Sequence, residues 1–200
     1  MIKVGFDFDQ TLADSSSGIL NCLRSICQSL HIEVSQERLH QLSVSGLPLK
    51  ETMLRIIPIS KIELASRMFM ELYPTLGIEG TRIIKGVEEL IQDLRAKQAE
   101  IYVLSAKSQE NLNLSLSFLR LEVDQAIGGL NYQGKVKFIR KLKLHCYIGD
   151  QVTDIQAAEK AGSMGILVDN SSMIVNLSSQ QARFQSIEHL RDNLVLIFKK

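Results

Sequence analysis

The chain has 200 residues, of which 45% are hydrophobic, 22% charged and 6% aromatic, with only 3 prolines. This is the composition of a soluble globular protein and excludes disordered, collagen-like and fibrous classes. Lys and Arg number 23 against 22 acids, a formal charge of +1, so no field gathers nucleic acid or an anionic membrane, and neither is expected as a partner.

A chain of this length buries a core as one domain, or one domain with a modest insertion, without metal or disulfide staples. Monomer and homodimer both stay open. Cys22, Cys27 and Cys146 have no CxxC or Cys/His ligand spacing, which points to buried reduced thiols. The apolar run at the N-terminus is short and is cut by Asp7, so it is no signal-peptide core, and no stretch approaches the roughly 18 to 20 apolar residues of a membrane span. A reducing cytoplasm is the expected location.

Val4 to Phe8 predicts a buried strand that ends in the polar cluster Asp14 to Gly18. Ile19, Leu20, Leu23, Ile26, Cys27 and Leu30 then recur at helical spacing, with Asp14 and the serines after it available as caps. No good strand follows until about Thr81. Helical stretches around Glu37 to Leu42, Leu49 to Ile56 and Ile62 to Leu72 are punctuated by Gly and Pro, and the block reads as a helical insertion.

Val87, Leu90, Ile91 and Leu94 form the next helical face, and Ile101 to Leu104 a compact strand ending at Ser105. Leu112, Leu114, Leu116 and Phe118 alternate at period 2, yet Leu112, Leu116 and Leu119 also fit a helix, which is the reading adopted. A helix starting near Lys135, a strand over His145 to Ile148, a helix near Asp154 to Ala161 and a strand over Met164 to Val168 complete the alternation. Ser171 to Lys200 is polar and then amphipathic through Ile187, Leu190, Leu194 and Ile197. Strands alternating with helices imply an α/β fold, a Rossmann-like parallel sheet flanked by helices, interrupted by an all-helical insertion.

In such sheets ligands bind beyond the carboxyl ends of the strands. Three of the predicted ends carry polar chemistry: Asp7 and Asp9 after the first strand, Ser105 after another, and Asp150 after a third, four residues before Asp154. Asp7 and Asp9 are two apart and project from one side of a strand, with Phe6 and Phe8 on the other. Carboxylates gathered in an apolar setting repel one another, and a hard divalent cation is their natural compensation, with oxygen-only ligands favouring Mg²⁺ over zinc. His31, His40, His145 and His189 have no ligand spacing and read as structural or surface residues. Gly128-Gly129 reads as a loop rather than a phosphate cradle.

Asp7-Phe8-Asp9-Gln10-Thr11-Leu12 after an apolar strand resembles the first motif of the haloacid dehalogenase (HAD) superfamily, usually DxDGT[LV]. Ser105 resembles the second motif, a Ser or Thr, and Lys135 the third, a basic residue at a helix start; Lys137 is its rival. Gly149-Asp150-Gln151-Val152-Thr153-Asp154 resembles the fourth, GDxxxD. Ile155, Ala157, Ala158, Ala161 and Gly162 extend it with small residues that let the helix lie close to the sheet. Two positions depart from the family pattern: Gln10 stands where glycine is usual, and Lys85 where proline often precedes Gly-Val. Neither removes a catalytic group.

The resemblance implies an HAD-like core over 1–13 and 82–200 and a C1-type helical cap over 14–81, with a layout similar to phosphoglycolate phosphatases. It implies Mg²⁺-dependent hydrolysis of a small phosphorylated metabolite through an aspartyl-phosphate. Asp7 would be the nucleophile and Asp9 the acid and base. Ser105 and Lys135 would stabilise the transferring phosphoryl group. Asp7, Asp150 and the Asp9 carbonyl would hold the metal, and Asp154 would orient that shell. Rival readings are a β-phosphoglucomutase-like mutase, a 2-haloacid dehalogenase, against which Asp9 and Asp150 argue, and a non-catalytic regulatory protein on the same scaffold.

Overall fold

A computed structural model describes residues 1–45, 47–169 and 181–198. Gly46 and the polar stretch at 171–180 lie outside the described residues.

Six strands form one parallel sheet: β1 (Lys3–Phe6), β4 (Glu100–Leu104), β5 (Gln125–Ile127), β6 (Cys146–Gly149), β7 (Met164–Val168) and β8 (Gln181–Phe184). Their spatial order is β5-β4-β1-β6-β7-β8. The chain thus builds outward from β1 on one side and then returns to add β6, β7 and β8 on the other, so the winding reverses beside β1. That reversal opens a crevice above the strand ends, the place where open α/β sheets receive ligands. Val4, Phe6, Ile101, Val103 and Ile148 are fully buried, as expected of strands covered by helices on both faces.

The helices of the core are α5 (Val87–Ala96), α6 (Gln109–Phe118), α7 (Tyr132–Leu142), α8 (Val152–Ala161) and α9 (Ile187–Asp192). The ambiguous leucine stretch is helical: Ser108 caps α6 by accepting the Asn111 N–H, and Leu112 and Leu116 are buried on one face. Ala157 and Ala158 are fully buried, so α8 lies close against its neighbours as its small side chains anticipate. Among the described residues no helix is long and apolar enough to cross a membrane.

Between β1 and α5 the chain forms α1 (Ser16–Ser29), α2 (Gln36–Ser43), α3 (Leu49–Leu54) and α4 (Ile62–Leu72), the last running into a wider π-type turn at Tyr73–Gly77. These helices carry an apolar cluster of their own, with Cys22, Leu23, Ile26, Met53, Phe69 and Tyr73 buried in it. Phe69 stacks on Tyr73 at 5.5 Å between ring centres. A Cβ on Gly18 would fall 1.9 Å from the Gly77 carbonyl oxygen, so glycine is what lets α1 cross that turn at backbone contact.

Several elements differ from the expectation. The first strand ends at Phe6 rather than Phe8, and α7 begins at Tyr132, capped by Asn131, which places Lys135 inside the first turns rather than at the start. Two short strands that the periodicity does not reveal, β2 (Ala13–Asp14) and β3 (Arg82–Ile83), pair antiparallel at the two ends of the helical block. The edge strands β5 and β8 were also unread, because their residues are mostly half-buried or exposed and carry little apolar signal. All three cysteines are free and buried.

Candidate active site

Asp7 is the first residue beyond β1. Its N–H reaches the Ile148 carbonyl of β6 at 2.8 Å, which pins it over the point where the sheet reverses. The chain then folds back, with Leu12 and Ala13 both donating to the Phe8 carbonyl at 2.9 and 3.0 Å. Phe6 and Phe8 enter the core while Asp7 and Asp9 line the cavity, so the two sides separate as alternation predicts although only Phe6 is in the strand. Gln10 occupies the left-handed region at φ 60°, a conformation that suits glycine and costs another residue about 1 kcal/mol. Its amide offsets part of this by donating to Asp14 Oδ1 at 3.0 Å.

On the other side of the crevice, Asp150 follows β6 and Asp154 sits in the first turn of α8. A Cβ on Gly149 would lie 2.5 Å from the Asp154 side chain, so that glycine is what brings Asp154 against the strand end. Asp7, Asp150 and Asp154 place carboxylate oxygens within 4.8 Å of one another. Lys135 reaches into this group from α7, with Nζ 2.6 Å from Asp154 Oδ1 and 3.2 Å from Asp7 Oδ1. Lys137, two residues on, is exposed beside the Phe138 ring. The geometry therefore separates the two lysines that the sequence leaves as rivals.

Burial dominates the electrostatics. It pushes the Asp7 carboxyl up to about 8 against the pull of Lys135, and the charges of Asp154, Asp150 and Asp9 add to the rise. Asp150 is likewise raised to about 6 by burial, opposed by the hydrogen bond from Gln151, whose Nε2 lies 2.7 Å from Asp150 Oδ2. For Lys135 burial works the other way, but Asp7 and Asp154 outweigh it and hold the ammonium above its ordinary value. Two carboxylates touch that ammonium, so it stays protonated, and the cost of ionising the cluster falls on the acids.

Asp7 and Asp154, buried, and Asp150, half-buried, stand against one lysine, so the ionised cluster carries uncompensated negative charge. Their all-oxygen donor set fits a hard divalent cation such as Mg²⁺. Both Asp154 oxygens are engaged, Oδ1 by Lys135 and Oδ2 by the Gln151 N–H at 3.3 Å, which suits it to orienting the cluster. Asp7, whose Oδ1 meets Lys135 at 3.2 Å but has no hydrogen-bond partner, has more capacity for an ion.

Ser105 ends β4 and is almost wholly buried. Its Oγ accepts the Lys107 N–H at 3.2 Å, which leaves its own O–H to donate. Asp9 is not part of the carboxylate cluster; its Oδ1 lies 3.2 Å from Lys107 Nζ. Lys107, with a side chain only 6% exposed, also donates to the Tyr73 hydroxyl at 2.8 Å. That hydroxyl is 3.1 Å from Ser115 Oγ. Burial lowers the Lys107 ammonium, but Asp9 and Tyr73 reverse the effect and raise it. The sequence reading missed Lys107. Its only signal was a lone charge between an apolar strand and the following helix, two residues after Ser105. Thr11, whose Oγ1 stands 3.5 Å from Asp150 Oδ1, was also missed.

These strand-end acids, the serine and the buried lysine stand in the order that the sequence motifs set. The sequence profile described as haloacid dehalogenase-like hydrolase matches residues 4–168. The chain belongs to that family. Solved structures of HAD-like proteins align with this hydrolase over almost its whole length. A haloacid dehalogenase-like hydrolase from Streptococcus pneumoniae aligns at TM-score 0.78 and 16% identity, covering 100% of this chain and 99% of its own. A predicted phosphoglycolate phosphatase from Haemophilus somnus gives 0.73 and 17%, covering 96% of each chain. A protein named as a candidate beta-phosphoglucomutase from Thermotoga maritima gives 0.71 and 17%, covering 98% and 99%. At these identities the likeness establishes the fold. No curated protein matches the chain.

Proposed function

We propose that this hydrolase is a Mg²⁺-dependent phosphatase that cleaves the monoester of a small phosphorylated metabolite through an aspartyl-phosphate on Asp7. The observation that carries the reading is the separation of two acids at one strand end: Asp7 beside Lys135 and the carboxylate cluster, and Asp9 beside Lys107 at the cavity wall. Two carboxylates in different surroundings can take different roles.

Phosphate monoesters are among the most inert substrates, needing acceleration by up to ~10²¹-fold. Acid-base catalysis alone supplies about 10²- to 10⁴-fold, so a covalent route and charge neutralisation must provide most of the rest. In the first step an Asp7 oxygen bonds to phosphorus as the ester oxygen departs, and Asp9 gives that oxygen its proton. In the second, water attacks the phosphorus of the aspartyl-phosphate and loses its proton to Asp9. Inorganic phosphate leaves, and both acids return to their starting states. Ser105 donates to a phosphoryl oxygen, and Lys135 offsets the charge that spreads over the transferring group. Asp7, Asp150 and the Asp9 carbonyl would hold Mg²⁺, which supplies charge neutralisation at the phosphoryl oxygens.

Residues 14–81 act as a cap in this reading. Their contacts with the core include those of Tyr73 to Lys107 and Ser115 and of Met70 to Asn111, and their helices wall the cavity opposite the acids. Such a wall limits bulk water and substrate size. The test is hydrolysis of an aryl phosphate and of a panel of phosphorylated metabolites, with and without Mg²⁺, beside Asp7→Asn. The expected result is metal-dependent turnover that the variant abolishes. Metal-independent turnover, or turnover that survives Asp7→Asn, would contradict the proposal.

A further inference from the structure

The cavity above Asp7 and Asp9 has a volume of about 380 Å³, within the range of small-molecule sites. Its far wall is apolar, built from Ile19, Leu42, Leu47, Leu49, Phe69 and Met70 of the helical block. A second anionic group on the substrate, such as the carboxylate of glycolate, would need a cation there. Among the described residues the cationic side chains lining the cavity are Lys107 and Lys50. Lys107 is held between Asp9 and Tyr73. Lys50 is 65% exposed and paired with Glu63 at 3.2 Å.

Two of the wall's hydroxyls are engaged by backbone carbonyls. Ser43 Oγ donates to the His40 carbonyl at 2.9 Å, and Thr52 Oγ1 to the Pro48 carbonyl at 3.2 Å. Besides the acid oxygens Asp7 Oδ1 and Asp9 Oδ1, the buried polar atom of the lining without a hydrogen-bond partner is Oδ1 of Asn111, a residue only 3% exposed. Its Nδ2 rests 3.6 Å from Met70 Sδ.

We infer that the substrate is the phosphate ester of an uncharged, largely apolar alcohol of about ring size, with room for one hydrogen-bond donor opposite Asn111. The inference rests on the phosphatase reading and deepens it. An anionic leaving group would lose its hydration against this wall and, among the described residues, meet as its one cation the exposed Lys50, already paired with Glu63, whereas an apolar one gains contact with the apolar side chains of the wall.

The experiment compares benzyl phosphate with phosphoglycolate, whose leaving alcohols are of similar acidity, using the full chain with Mg²⁺. The kcat/KM for benzyl phosphate should exceed that for phosphoglycolate by about tenfold or more, the scale set by one mismatched pocket contact. Met70→Lys, and separately Leu49→Lys at a half-exposed position, should shrink or invert that ratio by adding a cation to the wall. Binding is read independently of turnover by the rise in melting temperature that benzylphosphonate and phosphonoacetate each cause.

Preference for the benzyl compounds in both assays supports the inference. Equal or better use of phosphoglycolate overturns it. If no ester turns over but benzylphosphonate alone stabilises the protein, the phosphatase reading fails and the ligand class stands. If neither phosphonate stabilises the protein and no ester is preferred, the inference fails.

Discussion

The floor and the wall of the cavity are built on opposite principles. The floor is a charge-dense set of side chains, Asp7 and Asp150 at the cavity with Asp154 and Lys135 behind them, each fixed by a strand end or a helix turn and largely removed from water. The wall is made of apolar side chains on short helices joined by turns, with a separate apolar cluster behind it. Fixed charges give large electrostatic effects because nothing has to reorganise during reaction. Apolar contacts give small, additive ones that sort ligands by shape and polarity. Substitutions in the floor should therefore act on kcat by orders of magnitude, and substitutions in the wall on the ranking of substrates.

The sharpest break is Asp7→Asn. Loss of the proposed nucleophile should reduce turnover by about 10⁴-fold or more. The melting temperature should hold or rise in metal-free buffer, because the variant removes a carboxyl whose burial raises its pKa to about 8. A variant that unfolds instead would mean that Asp7 is structural.

Lys135→Met comes next. It should lower kcat by about 10²- to 10³-fold. It should also destabilise the fold by about 3–5 kcal/mol, since Asp154 and Asp7 are left buried without their ammonium. Denaturant melts beside steady-state kinetics read both. The parallel change Lys137→Met, at an exposed side chain, should leave both within error.

Lys107→Met tests whether the boundary between floor and wall serves catalysis. Asp9 and the Tyr73 hydroxyl both lose a partner, so kcat/KM should fall by about 10- to 100-fold for alkyl phosphates, whose leaving oxygen needs a proton. Aryl phosphates, which leave without one, should lose several-fold less. Equal losses for both ester types would assign Lys107 to packing alone.

The smallest effect is in the pH dependence of stability. Burial raises Asp7 to about 8 and Asp150 to about 6 from an ordinary 3.8, so without metal the folded state binds more protons than the unfolded state between those limits. The stability these two groups contribute is then full below about 3.8 and falls as pH rises, until the loss is complete near 6 for Asp150 and 8 for Asp7. A divalent cation favours the ionised carboxylates, so Mg²⁺ should flatten the curve and bind more tightly as pH rises. Denaturant melts at pH 5 and pH 8, with and without Mg²⁺, check the sign.

Much of the floor was legible in the sequence because its residues are local: Asp7 and Asp9 straddle one turn, and Asp150 and Asp154 are held one helical turn apart by Gly149. Lys107 was not, because nothing in Ser105-Ala106-Lys107-Ser108 reveals that the lysine turns inward to Asp9 and to a tyrosine 34 residues earlier. The choice between Lys135 and Lys137 was equally closed to sequence, since both flank one apolar helical face and only the approach of α7 to α8 selects the inner one. The edge strands β5 and β8, and the short pair β2 and β3, escaped for a different reason. Edge strands and two-residue ladders bury too little to leave a period-2 pattern.

The sequence by itself determined the alternating α/β order, the helical block and the acids at the strand ends, because hydrophobic periodicity and short motifs are properties of neighbouring residues. Tertiary structure alone decided which lysines face the acids, that Gln10 adopts a left-handed turn, and that the wall above the acids carries no free cation among its described residues. Those outcomes depend on distances between segments far apart in the chain, which are fixed only when the sheet reverses beside β1 and the helices close over its strand ends.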